Sequence, residues 1–218
     1  AQFFCDALTA MAEGEVKAGR AAAGDGVSGE PGARVTHVER MFGFLVEERW
    51  ACDGCFAVGK SSHLEYVYTV EPRESGEEQL VTDMCLERCV PRKVSRACGR
   101  RHCQASTCVQ QARLASLPNV LLMKVQRGGG VRGRAVCVEE QISFPGLGTL
   151  ELGAAIYAVG AGRANVRYTC VSSGPGGVYW DFAASRQPCN MGYDVSNVLR
   201  SNVAMRVYTR PGGRAVFA

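Results

Sequence analysis

Apolar and polar positions divide the chain into a helical start, a polar middle and a strand-rich second half. Phe3, Phe4, Ala7, Leu8 and Met11 stand at helical spacing. From Gly19 to Gly32 the chain mixes Ala, Gly, Asp, Ser and Pro, which predicts a flexible insertion. Apolar character resumes from Val38 to Phe44, and Val46 to Trp50 leads into the tight knuckle Cys52-Asp53-Gly54-Cys55. His63 to Val70 alternates, with Leu64, Tyr66 and Tyr68 on one face and Glu65, Val67 and Thr69 on the other, and predicts one strand. Glu71 to Glu78 is a polar loop, Leu80 to Cys89 a short helix, and Pro91 to Arg101 a basic connector.

Beyond Leu117 the pattern is that of strands. Val120 to Val125 is a continuous apolar run broken only by Lys124, as expected of a buried strand. Gly128-Gly129-Gly130 predicts a turn, and Val136 to Glu139 and Gln141 to Phe144 two short strands. Leu150 to Val159 and Asn165 to Ser172 follow. Ser173-Gly174-Pro175-Gly176-Gly177 then turns sharply into Val178 to Phe182. Asp194 to Arg200 is a helical turn and Val203 to Thr209 a final strand. The second half is thereby expected to be a mainly antiparallel sheet.

With 218 residues, 46% of them hydrophobic, the chain is long enough to build one sizeable core. A net charge of +4 is too mild to indicate nucleic acid as a partner, and the basic cluster from Arg92 to Arg101 reads as a solvated loop. No apolar run reaches the roughly 18 residues of a membrane span. The start, Ala1-Gln2-Phe3-Phe4-Cys5, lacks the basic region of a secretory signal. Eleven cysteines, an odd number, argue against a full disulfide framework. Together these features predict an intracellular setting with reduced thiols.

Four of those cysteines fall into two short-loop pairs, Cys52-x2-Cys55 and Cys98-x4-Cys103. A tetrahedral zinc site needs four soft ligands, and two tight turns can each point two thiolates at one ion. Such a zinc would be structural, because four protein ligands leave no open position. His102 could substitute for Cys103, and four reduced cysteines in an ordinary core remain the alternative.

Several segments, in order, resemble the ubiquitin-specific protease family. Phe3 to Met11 is similar to the helix after that family's Asp-Ala-Gln-Glu-Phe motif, with Gln2 where its Glu stands. Met41-Phe42-Gly43, then Cys52-x2-Cys55 and Ser61-x3-Glu65, resemble its Leu-Phe-Gly segment, first finger knuckle and following strand. Leu117-Pro118-Asn119-Val120-Leu121 is similar to its Leu-Pro-x-Val-Leu strand. Ile142-Ser143-Phe144-Pro145 with Leu150-Glu151-Leu152, and Asn202 to Arg210, resemble its later palm strands. The resemblance covers nearly the whole chain. It implies an α+β, papain-like hand of thumb, palm and zinc-tipped fingers, with an incomplete thumb and a mainly antiparallel palm sheet. Residues 1–18 would end the thumb, 19–37 form the insertion, 38–116 the fingers and 117–218 the palm.

Thiol proteolysis needs a cysteine, a histidine that takes and returns its proton, and a polar group that orients the histidine. In the family the cysteine lies in an Asn-Thr-Cys-Tyr box upstream of the thumb helix, and the chain is expected to begin after it. Cys5, at helical spacing beside Phe4, Asp6 and Ala7, reads as a packing cysteine. The family's Gly-His-Tyr-x-Ala motif matches Val166-Arg167-Tyr168-Thr169-Cys170, with Arg167 at the histidine. An arginine stays protonated and cannot act as the base. The Trp-Tyr-x-Phe-Asp-Asp motif matches Tyr179-Trp180-Asp181-Phe182-Ala183-Ala184, so alanines replace both acids. The chain's three histidines, His37, His63 and His102, all precede the palm.

The resemblance therefore implies a catalytically inactive domain that binds ubiquitin or a ubiquitin-like protein, or scaffolds a larger complex with other subunits. Tyr168, Tyr179 and Trp180 would line the old cleft, or serve ordinary sheet packing. Two alternatives stay open. One is an active cysteine deubiquitinase whose nucleophile lies in a segment not present here. The other is a purely structural zinc-containing component of a large assembly.

Overall fold

A computed structural model of the chain describes residues 7–8, 10–15, 35–72, 78–126, 136–137, 139–159, 167–173, 179–181, 189–190 and 203–211. The expected insertion at 19–32, the glycine turn at 128–130, the turn at 174–177 and the helical turn at 194–200 lie outside these residues.

Two sheets organise what is described. The first has four antiparallel strands in the order β2-β1-β6-β5: β1 (Phe44–Cys52), β2 (Val58–Glu65), β5 (Arg92–Ser95) and β6 (Thr107–Leu114). The second has eight strands. Its main path is β13-β12-β11-β10-β14-β7-β3, and β9 pairs with β10. These strands are β3 (Val67–Val70), β7 (Val120–Val125), β9 (Gln141–Phe144), β10 (Gly148–Val159), β11 (Arg167–Ser173), β12 (Tyr179–Asp181), β13 (Cys189–Asn190) and β14 (Val203–Thr209). All its pairings are antiparallel except β3 with β7. A short parallel pair, β4 (Gln79–Leu80) with β8 (Val136–Cys137), stands apart.

Three helices are described beside the sheets. α1 runs through residues 7–8 and 10–15, α2 spans His37–Phe42 and α3 spans Val81–Arg88. Thr36 starts α2 with a capping box: its hydroxyl accepts from the Glu39 N–H at 3.0 Å, and Glu39 accepts the Thr36 N–H at 2.7 Å. This reciprocal pair satisfies two otherwise unpaired helix-start donors.

The apolar run of β7 is explained by burial on both faces. Leu121, Met123 and Val125 enter a core with Phe44, Val46, Tyr68, Met84, Ile142, Leu150 and Tyr208. Val120 and Leu122 face the other way, against Leu8 and Ala12 of α1, Val38 of α2, and Val67 and Val207. A strand covered on both sides needs no polar alternation. No helix among the described residues is long and apolar enough to cross a membrane.

Two expectations are corrected. His63 to Val70 is not one strand: the chain bends at Tyr66, β2 ending in the first sheet and β3 beginning in the second. Two sheets claim the two halves, and period-two alternation continues through such a switch without marking it. The segment 38–116 is accordingly shared between both sheets. Pro91 to Arg101 is not merely a connector, because Arg92–Ser95 forms β5 on the edge of the first sheet. Its charge concealed it, since edge strands tolerate lysine and arginine where central strands do not.

Candidate metal centre and palm hairpin

β1 links the core to the cysteine cluster. Phe44 and Val46 are buried in the main core, and Cys52 closes the strand's far end. Nine extended residues place those ends roughly 27 Å apart. At the far end the two knuckles meet. Sγ of Cys52 lies 3.5 Å from Sγ of Cys103, and Sγ of Cys55 lies 3.4 Å from Sγ of Cys98. All four sulfurs fall within 4.8 Å of one another. Four thiolates at about 2.3 Å from a tetrahedral ion would be separated by about 3.8 Å, so the cluster has the size of a four-sulfur metal site. Cys103 supplies the fourth sulfur, whereas exposed His102 stands outside the group.

The backbone shapes both turns for this meeting. The Phe56 N–H donates to the Cys52 carbonyl at 3.0 Å, and the Cys52 N–H to the Ala57 carbonyl at 2.9 Å. Phe56 closes the turn at φ 56°, a left-handed conformation rare for a bulky residue. A Cβ on Gly54 would lie 2.9 Å from the Ala105 Cβ, so the glycine permits the second knuckle's close approach. Asp53 braces the pair: its Oδ2 accepts from the Thr107 hydroxyl at 2.8 Å and pairs with Lys93 Nζ at 2.8 Å. Lys93 and Thr107 together hold its carboxyl below the ordinary range.

The thiols themselves are unequal. N–H groups of Cys55 and Gly54 directed at Cys52 lower its thiol to about 6. Cys98 rises to about 12: the Arg100 N–H pulls it down, but burial and the facing sulfurs of Cys55, Cys52 and Cys103 outweigh that pull. Backbone N–H groups aimed at a cluster of sulfurs are suited to thiolates, the form that binds a metal. Neither the Asp53 brace nor the Gly54 contact was foreseen from the sequence, although both residues sit inside the knuckle.

In the second sheet, β11 and β12 form the hairpin that carries the motif positions. Ser172 pairs with Trp180, Ser173 with Tyr179 and Val171 with Asp181. On the other side of β11, Arg167 pairs with Val159 and Tyr168 with Ala158. Paired residues share a parity and alternate residues keep it. Tyr168 and Trp180 thus occupy one set of register positions, with Arg167, Tyr179 and Asp181 on the other. The three aromatics do not fall in phase, a consequence of Tyr179 and Trp180 being adjacent. Ala183 and Ala184 lie outside the described residues, as does Cys5.

No protein-family model matches the chain, and no curated protein matches it. Solved structures do, and they are ubiquitin-specific proteases in fold. One contains the yeast SAGA DUB module with a variant Sgf73 (TM-score 0.64, 13% identity, 78% of this chain and 41% of that one). A second is the SAGA DUB module of Ubp8, Sgf11, Sus1 and Sgf73 bound to monoubiquitin (TM-score 0.64, 12% identity, 82% of this chain and 43% of that one). A third is the Ubp8-Sgf11-Sgf73-Sus1 module (TM-score 0.62, 13% identity, 84% of this chain and 43% of that one). The chain therefore shares the mixed α+β, mainly antiparallel fold of these ubiquitin-specific protease structures. It spans less than half the length of the matched chain in each of these structures.

Proposed function

We propose that the chain is the finger-and-palm part of a ubiquitin-specific-protease-like domain that does not cleave ubiquitin. It serves instead as a ubiquitin-binding or scaffolding module in a larger intracellular assembly. The observation that carries this reading is Arg167 on β11, at the position matched to the family's catalytic histidine. A guanidinium holds its proton at every working pH and accepts no hydrogen bond, so it cannot take a proton from a thiol. The alanines at 183 and 184 remove the matched orienting acids.

Zinc is the metal this reading assigns to Cys52, Cys55, Cys98 and Cys103. Four sulfur donors and no oxygen suit a soft ion, and a closed donor set suits a structural one. Tyr168 and Trp180 are assigned the ubiquitin contact, since they share one parity of the hairpin, with Tyr179 in a supporting place on the opposite parity. Ubiquitin is supported as the ligand by the fold and by a neighbour bound to monoubiquitin.

The test is a calorimetric titration of the chain with ubiquitin, run beside hydrolysis of a fluorogenic ubiquitin conjugate and a zinc assay. Saturable binding, one bound zinc per chain and no hydrolysis are expected, and Arg167→His should restore none. Zinc without ubiquitin binding would leave the scaffolding role alone. An active enzyme is the second reading, favoured by the chain spanning only 41–43% of its neighbours. It requires thiol-sensitive hydrolysis by the full-length protein, and that result would overturn the first reading.

A further inference from the structure

β5 leaves half of its backbone groups facing outward. Its register with β6 pairs Arg92 with Gln110, Lys93 with Val109, Val94 with Cys108 and Ser95 with Thr107. The Arg96 N–H continues the ladder, donating to the Ser106 carbonyl at 2.9 Å. Antiparallel pairing alternates inward and outward groups. Arg92, Val94 and Arg96 therefore aim their N–H and C=O groups at β6, and Lys93 and Ser95 aim theirs away from it. β5 ends the sheet order β2-β1-β6-β5, and no described strand lies beyond it.

The side chains along this edge have one sign. From Arg88 to Cys103 the chain carries Arg88, Arg92, Lys93, Arg96, Arg100 and Arg101 and no acidic residue. Arg88 is engaged with Glu65, and Lys93 with Asp53. Arg92, Arg96, Arg100 and Arg101 are exposed. Arg96 lies with its guanidinium 4.9 Å from the centre of the Trp50 ring. This stacking holds the charge on the sheet face shared by Arg92 and Val94, because Trp50 and Gln110 belong to that same face. One face of the edge thus reads basic, apolar, basic: Arg92, Val94, Arg96.

We propose that the outer edge of β5 is a docking site for an extended acidic peptide segment, which joins the finger sheet as a fifth strand. The outward groups of Lys93 and Ser95 supply main-chain hydrogen bonds, and alternate peptide side chains fall on the face of Arg92, Val94 and Arg96. The matching peptide carries acidic residues two positions either side of an apolar one. Charges on an edge also discourage indiscriminate strand pairing. Here they do so while favouring a partner of opposite sign, which makes the edge selective. The site is remote in sequence from the palm hairpin and does not depend on ubiquitin being bound there.

The experiment uses the metal-loaded chain and a fluorescent peptide of about ten residues in which glutamate and valine alternate at every second position, with threonine between them. Fluorescence anisotropy should give saturable binding, and hydrogen exchange should slow at the amides of Lys93 and Ser95. Arg92→Glu should weaken binding about tenfold. Ser95→Pro removes an outward N–H and the hydroxyl but no charge; compared with Ser95→Ala, which keeps the N–H, it should weaken binding while leaving metal content and circular dichroism unchanged. Binding that ignores Ser95→Pro would overturn strand addition. So would an equal affinity for duplex DNA that also ignores it, which would make the edge a general polyanion surface. Absence of saturable binding to the folded chain would overturn the proposal altogether.

Discussion

Glu139 caps helix α3 through Thr82, a residue 57 positions earlier in the chain. Its carboxylate accepts the Thr82 N–H at 2.7 Å and the Thr82 hydroxyl at 2.9 Å. The helix has no cap of its own, since Leu80 stands at the N-cap position without a side-chain acceptor. An imported carboxylate satisfies a helix-start donor and complements the helix dipole. The Tyr208 hydroxyl, donating to the Glu139 carbonyl at 3.2 Å, fixes the segment against β14. Glu139→Ala should cost about 1–2 kcal/mol by denaturant unfolding. A double-mutant cycle with Thr82→Ala should give a coupling of at least about 0.5 kcal/mol.

Trp50 lies across Gly59 on the neighbouring finger strand. A Cβ on Gly59 would meet the indole at 2.2 Å, so the glycine is the floor on which the ring rests. Gly59→Ala should displace Trp50, loosen its stacking with Arg96 and cost about 1–3 kcal/mol. The checks are a change in tryptophan fluorescence and a lower unfolding midpoint.

Glu47 gathers three cations on the open face of the fingers. Lys60 pairs with it at 2.8 Å and Arg113 at 2.6 Å, with Arg49 more distant at 3.9 Å. Hydrogen bonds from Lys60 and Arg113 lower its carboxyl from an ordinary 4.5 to about 2. A carboxylate lowered in the folded state stabilises above its unfolded value, and that support is lost as pH falls through the folded one. The finger sheet should therefore lose stability between pH about 5 and 2, less so in high salt, because the pairs face solvent. Glu47→Gln should flatten that part of the pH profile.

Removing the metal should act on the fingertips and spare the palm. Among the described residues the knuckles pack only a small apolar cluster around Cys52, Ala57 and Cys98, beside the Asp53 brace and their turn hydrogen bonds. The main core lies at the other end of β1. A chelator, or Cys98→Ser, should speed hydrogen exchange at residues 52–57 and 98–107 and leave β7, β10 and β14 protected. Equal loss in both regions would mean that fingers and palm unfold as one unit.

The sequence by itself determined the cysteine cluster, the central strand, the overall hand and the arginine at 167. Two cysteine pairs announced a four-sulfur cluster because tight turns present thiols in pairs. The apolar run at Val120 to Val125 announced a buried strand. The order of motif-like segments announced the hand. Arg167 was legible as an arginine whatever its surroundings, since no environment makes it a base. Only the tertiary structure decided which strands joined which sheet. It broke His63 to Val70 at Tyr66, made an edge strand of the basic segment at Arg92, set Trp180 rather than Tyr179 in phase with Tyr168, and brought Glu139 to Thr82. The physical reason is common to all four. Periodicity records which side of a residue is buried, and a motif records local chemistry. Neither records the distant strand or carboxylate that completes the hydrogen bonds.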